Sequence, residues 1–440
     1  MAFTKSLAEM EQSVPDSEAR KRLAAFFDED SFTELDKFLS ADGEVSSVVA
    51  GCGKVEGTPI YAFAQDVSVK GGAVNKAAAL KIKRIYELSA KNGSPVIGFF
   101  DSKGGDINEG MAVLSAYGDI MKAAAAVSGM VPQIAVVTGV CAGCAAMIAS
   151  MADVIIATEK SELFLTAPFN NADGKIEGAG SALNAAKSGV CQILAKDEAD
   201  AVVKAKQLIT VLPENNVSLG CYPAALENNA DTTASMTGAE LVAALAQPNS
   251  VIEFSEKFGS AAYTALGALD MVTVAFVATD KAAKLTSADC AKIARFVQFA
   301  DLFSIPVVTL IDTEGFEGSS AAELAGSVRD CAKLAQVYAT ATTAKVSLVK
   351  GKAFGAAFAA FDSADMTFAF EGAQIAPMAP EAGKVFMGEE LVTSPFAAAS
   401  LGMIDGVVDA SDARAVISEA LNMCSSKNVN PERKHANYVF

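Results

Sequence analysis

The chain has 440 residues, long for one hydrophobic core and comfortable for two of about 200 each. Its 35 Lys+Arg against 52 Asp+Glu leave a net charge of −17, which excludes nucleic acid and anionic membrane as broad electrostatic partners and leaves an anionic ligand dependent on a local basic patch. The hydrophobic fraction of 51% exceeds the usual range for soluble proteins, an excess that suits covered subunit interfaces.

Helical spacing of apolar residues opens at 17–28, and 48–66 reads as a hairpin with its turn near Gly57. A helix is expected at 77–92, then a buried strand at 95–101, a glycine-rich loop, a helix running through Met121, a strand at 134–138 and a helix from Gly143. Strand, loop and helix in alternation imply a right-handed α/β build with parallel pairing. The uncharged run 123–152 is long enough to raise the question of a membrane span, but Pro132, Gly139 and Gly143 break it into strand, turn and helix. Turn residues without a sustained period fill 213–238, so the junction is placed there and the domains are taken as 1–235 and 236–440. The order then begins again, with a helix at 238–246 and a hairpin at 262–280.

That recurrence is a duplication. Lys81 and Lys292, Pro95 and Pro306, and Asp101 and Asp312 are each 211 positions apart; Gly139 and Gly351, Gly143 and Gly355, Asp153 and Asp365, and Pro168 and Pro380 are each 212 apart. A period this long is one fold used twice, not a solenoid of short repeats. In both halves a strand ends in Asp-Ser/Thr followed by glycine (DSKGGDINEG at 101–110, DTEGFEGS at 312–319), and a second strand runs into a glycine-containing helix start at 141–145 and 353–357. Such loops and helix starts present unpaired backbone N–H groups, and two of them directed at one point stabilise an oxyanion. Alone, either copy reads as a tight turn with close helix packing; two copies of the same paired arrangement point to two anion sites.

Of eight cysteines only Cys141 and Cys144 form a CxxC, which makes no tetrahedral zinc site, so no metal is expected. The N-terminus has no secretory pattern, and the thiols are read as reduced packing residues of a cytoplasmic protein. His435 is the one histidine, which disfavours a histidine general base and a Ser-His-Asp hydrolase.

The stretches RKRLAAFFDEDSFTELD, DSKGGDINEG, GVCAGCAAM, the run from CAKIARFVQF through VTLIDTEGF, KAFGAAF and the closing PERKHAN resemble, in order and over nearly the whole chain, the carboxyltransferase subunits of biotin-dependent acyl-CoA carboxylases and related acyl-CoA decarboxylases. The resemblance implies two tandem crotonase-like α/β domains, the first on the acyl-CoA side and the second on the biotin side. It also implies carboxyl transfer between N1 of biotin and the alpha carbon of a coenzyme A thioester. Carried over by position, the thioester hole falls on the N–H groups of Gly143 and Cys144 and the biotin hole on those of Ala356 and Ala357. Lys103, Gly104, Gly105 and Ala142 fall on the acyl-CoA side, Gly315, Phe316, Gly355 and Phe358 on the biotin side, and Ala359 where acyl chains are discriminated.

The chain departs from the family pattern at Lys103 and Cys144, each in place of a glycine, and at Asp106, in place of an arginine. It holds no biotinyl motif of the Ala-Met-Lys-Met type, so biotin is expected on a separate carrier protein or domain. The implied partners are a biotin carboxyl carrier protein and a biotin carboxylase subunit or, if the enzyme is a decarboxylase, a sodium-pumping membrane subunit. The implied assembly is a homohexamer, a trimer of dimers. Lys70, Lys103, Lys187, Arg329, Lys333, Lys350 and Lys352 are candidates for the CoA phosphates, each also readable as a solvated surface charge. Two other readings stay open: a crotonase-type hydratase or isomerase using Glu109 and Glu381, and a non-catalytic scaffold that has kept the fold.

Overall fold

A computed structural model describes residues 6–12, 14, 16–41, 44–174, 176–220, 230–280, 283–388 and 391–427. The chain forms two compact units, the first ending at Thr210 and the second beginning at Val211. The residues just after Val211 already pack within the second unit: the Thr273 N–H donates to Gly220 O and its hydroxyl to Val211 O.

Each unit is built on an eight-stranded sheet of the same order. In the first unit the strands run across the sheet as Thr33–Leu35, Val48–Val55, Thr58–Gln65, Val96–Ser102, Gln133–Ala142, Val154–Thr158 and Ile193–Ala195, with the short strand Glu162–Phe164 also paired to Gln133–Ala142. In the second the same path is Ile252–Phe254, Tyr263–Leu269, Val272–Ala278, Val307–Thr313, Lys345–Phe354, Met366–Phe370 and Gly406–Val408, with Gln374–Ala376 on Lys345–Phe354. The opening hairpins pair antiparallel and the later strands parallel. Parallel strands need a covering crossover, which is why these strands read as unbroken apolar runs.

The helix Lys76–Asn92 shows how local sequence sets an element. Asn75 caps it by accepting the Ala78 N–H, Ile82, Ile85 and Tyr86 bury one face, and Gly93 ends it at φ 65. Its counterpart Ser287–Leu302 starts with a capping box, Thr286 with Asp289. The repeated lysines are buried clamps. Lys81 Nζ donates to Val48 O at 3.0 Å, and Lys292 Nζ to Ala262 O at 2.8 Å. Burial lowers the Lys81 pKa. The repeated aspartates Asp153 and Asp365 likewise hold strand starts, accepting the N–H of Gln133 and of Lys345, each at 2.8 Å.

Two expected elements proved longer. The helix after the glycine loop spans Ala112–Val127, and the strand expected at 134–138 spans Gln133–Ala142, continuing past Gly139. Gly139 is not a turn residue: a Cβ there would lie 2.1 Å from Asp101 Oδ1, so glycine is needed to let the carboxylate cross the strand. No described helix is long and apolar enough to cross a membrane.

Candidate active site

In the first unit the ladder between Val96–Ser102 and Gln133–Ala142 runs in register to Phe100 and Val137, slips, and resumes at Ser102 opposite Cys141. Bulges of this kind re-aim the chain beside functional sites. Here two arms leave neighbouring strands at one end of the sheet, the loop through Gly104 and Gly105 and the helix start at Gly143 and Cys144. Gly104 turns at φ 116 and Gly143 at φ 60, conformations that favour glycine. Gly105 makes an isolated parallel bridge with Val74, whose N–H donates to Gly104 O and whose carbonyl accepts the Asp106 N–H at 2.9 Å. That pattern leaves the Gly105 N–H facing away from the bridge, and it has no acceptor among the described residues.

The second unit repeats this in detail. The ladder slips between Ile311 and Thr313, Thr313 resumes opposite Ala353, Gly315 turns at φ 116, and Gly355 turns at φ 62. Phe316 bridges Leu285, whose N–H donates to Gly315 O and whose carbonyl accepts the Glu317 N–H, so the Phe316 amide is turned outward.

Which amides are available differs from the sequence expectation at four residues: Gly143 and Ala357, expected as donors, and Gly105 and Phe316, expected only as contacts. The Gly143 N–H is committed to Phe164 O at 2.9 Å, and the Gly355 N–H in the same way to Ala376 O at 2.9 Å, because a short strand passes beside each helix start. Gly143 is therefore not a donor. Ala357 is wholly buried, like its counterpart Ala145, so its amide is not at the surface. Among the described residues, the amides in these arms that have no acceptor and belong to residues with exposed surface are those of Cys144 and Gly105 in the first unit and of Ala356 and Phe316 in the second; Cys144, Gly105 and Phe316 are half-buried and Ala356 exposed. Gly105 and Phe316 were expected only as contact residues. The repeated Asp-x-x-Gly spacing was the signal that located their loops.

Phe358 is a core residue at 7% exposure. Ala359 is exposed on the outer face of the helix Ala356–Phe361, where the first unit has Met147. Ala142 ends its strand half-buried opposite Phe164. Lys103 is exposed, its N–H donating to Gly71 O. Asp106 is buried, pairs with Lys70 at 2.8 Å and caps the short turn Ile107–Glu109, and its pKa is lowered first by the Lys70 hydrogen bond.

Of the cations proposed for CoA phosphates, Lys70, Lys350, Lys352 and Arg329 are held in ion pairs, whereas Lys103 and Lys187 are exposed and without an ion pair among the described residues. Glu109 accepts the Lys76 N–H with both oxygens, at 2.9 and 3.0 Å, so it acts as a helix cap. Glu381 is exposed in the first turn of Pro380–Met387. Cys141 is a buried strand residue whose thiol pKa is pushed up by burial, which makes it unsuited to redox exchange. His435 and the PERKHAN stretch lie outside the described residues.

Comparison with known proteins agrees with this geometry. The carboxyl transferase domain family matches residues 16–387. The chain is 32% identical to a putative propionyl-CoA carboxylase beta chain of Bacillus subtilis (95% of this chain, 93% of the relative) and 30% identical to the methylmalonyl-CoA decarboxylase subunit alpha of Propionigenium modestum (95% and 92%). The crystal structure of transcarboxylase 12S, a hexamer assembly with hydrolysed methylmalonyl-coenzyme A bound, superposes with a TM-score of 0.90 at 29% identity, covering 98% of this chain and 94% of that one. The duplicated α/β units are thus the tandem crotonase-like domains expected from the sequence. With two such domains, paired amide sites and full-length similarity to carboxylase and decarboxylase subunits, this chain belongs to the carboxyl transferase domain family and is a biotin-dependent acyl-CoA carboxyltransferase.

Proposed function

We propose that the chain moves a carboxyl group between carrier-bound biotin and the alpha carbon of an acyl-CoA, as the carboxyltransferase subunit of an acyl-CoA carboxylase, with the thioester on the first unit and biotin on the second. The observation that carries this reading is the matched pair of acceptor-free amides, Cys144 with Gly105 and Ala356 with Phe316. A thioester that loses its alpha proton places negative charge on its oxygen. Two fixed amides in a site closed to water stabilise that charge without reorganising, and one such donor contributes about 3 kcal/mol.

The second unit suits the ureido ring of biotin. Gly355 brings the backbone to the surface without a Cβ, Ala356 is exposed beside it, and the Phe316 amide faces the same end of the sheet. When bound, biotin supplies the nitrogen that carries the carboxyl group in transit; this chain supplies position and polarisation. Lys103 and Lys187 are the exposed cations offered to the CoA phosphates.

Partners follow the same reading: a carrier protein that brings biotin, a biotin carboxylase subunit and five further copies of this chain in a cytoplasmic hexamer. Large apolar side chains stand exposed near the arms in each unit, Ile107, Met111 and Phe169 in the first and Leu324, Val385 and Phe386 in the second, and covering such surface favours assembly. A second reading, the carboxyltransferase subunit of a sodium-pumping decarboxylase, is favoured by the similarity to methylmalonyl-CoA decarboxylase subunits.

Purified with free biotin or a biotinylated carrier, the protein is expected to decarboxylate malonyl-CoA or methylmalonyl-CoA slowly, and avidin should abolish that turnover. Without biotin it should neither hydrate nor isomerise enoyl-CoA, because Glu109 is engaged as a cap. Turnover indifferent to avidin would replace this reading by the hydratase, and acyl-CoA binding with no carboxyl exchange would replace it by the scaffold.

A further inference from the structure

A carboxylate fills the bulge that opens each site, and the two carboxylates are held differently. In the second unit Asp312 sits in the slipped ladder, its Oδ1 accepting the Lys352 N–H at 2.8 Å. A Cβ at Gly351 would lie 2.4 Å from that carboxylate. Lys350 Nζ lies 3.2 Å from Asp312 Oδ2 and 3.2 Å from Asp280 Oδ2, and its side chain is only 7% exposed. Asp280 Oδ2 also accepts the N–H of Gly238, the first residue of the helix Gly238–Leu245, at 2.5 Å. One buried ammonium therefore ties together the strand that leads to Phe316, the strand that leads to Ala356, and the end of the hairpin beside them.

Among the described residues the first unit has no such tie; Arg22, the cation that acts on Asp101, is paired instead with Glu198. Thr138 stands 212 positions before Lys350, and its hydroxyl reaches only Phe100 O, at 3.5 Å. Asp101 accepts the Val140 N–H at 3.3 Å, and among the described residues no cation lies within ion-pairing distance of it. Apart from this, the bulges, the left-handed glycines and the outward amides are the same in the two units.

We propose that Lys350 is a positioning residue of the second anion site: its paired contacts to Asp312 and Asp280 fix the bulge, and through it the placement of the Phe316 and Ala356 amides. The inference rests on the second unit being the biotin side. Removing the ammonium leaves two carboxylates facing one another without a counter-charge, and a buried pair broken in this way is strongly unfavourable. Asp312 then turns away from the Lys352 amide, the strand ends lose their common anchor, and donors that must sit in place before the reaction no longer do.

The test compares Lys350→Met, which keeps the volume, with Lys350→Arg, which keeps the charge, in the full chain, using malonyl-CoA decarboxylation driven by free biotin. Lys350→Met is expected to lower kcat/KM for biotin at least about tenfold while the calorimetric Kd for malonyl-CoA stays within about twofold, and Lys350→Arg should recover most of the loss. Should Lys350→Met fail to fold, Asp280→Asn is expected to give the same split at about threefold. Equal losses on both substrates would overturn the proposal and make Lys350 a stability residue. Unchanged biotin kinetics would overturn it alone if Ala356→Pro is still impaired; if Ala356→Pro is also unimpaired, the assignment of biotin to the second unit falls first.

Discussion

Replacing Cys144 by proline is expected to lower biotin-dependent turnover by about 100-fold or more, while Cys144→Ala keeps most of it. Cys144 is the first residue of the helix Cys144–Ser150, and its N–H has no intrahelical acceptor. Proline is well tolerated at this position, since the missing N–H was unpaired and the required φ suits the ring, so the helix should survive and the loss should report the donor alone. Steady-state rates alongside far-UV circular dichroism separate the two effects. A dead Cys144→Ala enzyme with intact fold would show that the thiol, not the amide, does the chemistry.

Ala356→Pro is the matching experiment on the other unit, and its effect should fall on biotin. Ala356 opens the helix Ala356–Phe361, is exposed, and follows Gly355 at φ 62, so proline again deletes one reachable amide and little else. The expected result is a loss of about 100-fold in kcat/KM for biotin with acyl-CoA affinity unchanged by calorimetry. Weakened acyl-CoA binding in this variant would place the thioester on the second unit and reverse the assignment.

The duplication could be read from residue spacing because the repeated residues perform backbone work that any copy of this fold requires. Lys81 and Lys292 clamp carbonyls, Asp153 and Asp365 hold strand starts, and Asp101 and Asp312 fill the bulges. Such roles fix residue type at a fixed place in the fold, so they survive as a period. Which amide is free is a different kind of fact. Gly143 looks like a donor in sequence, yet the short strand Glu162–Phe164 takes its N–H, and only the pairing of strands well separated in the chain reveals it. The outward turn of Gly105 and Phe316 likewise depends on bridges to Val74 and Leu285, about 30 residues earlier in each case.

Gly139 illustrates the same limit. In an uncharged apolar run it signals a turn, whereas the strand continues through it because the Asp101 carboxylate needs the space of a missing side chain. The cations were the least legible. In sequence Lys70, Lys350 and Lys352 each read more readily as solvated surface charge than as a phosphate contact, and the structure pairs each with a carboxylate brought close by folding.

A crystal structure with an acyl-CoA and biotin both bound would show directly which amides hold each ligand. The thioester oxygen is expected within hydrogen-bond distance of the Cys144 and Gly105 amides and the biotin ureido oxygen within that distance of the Ala356 and Phe316 amides. Both ligands on one unit, or a thioester oxygen held by side chains with those four amides left unpaired, would contradict that assignment.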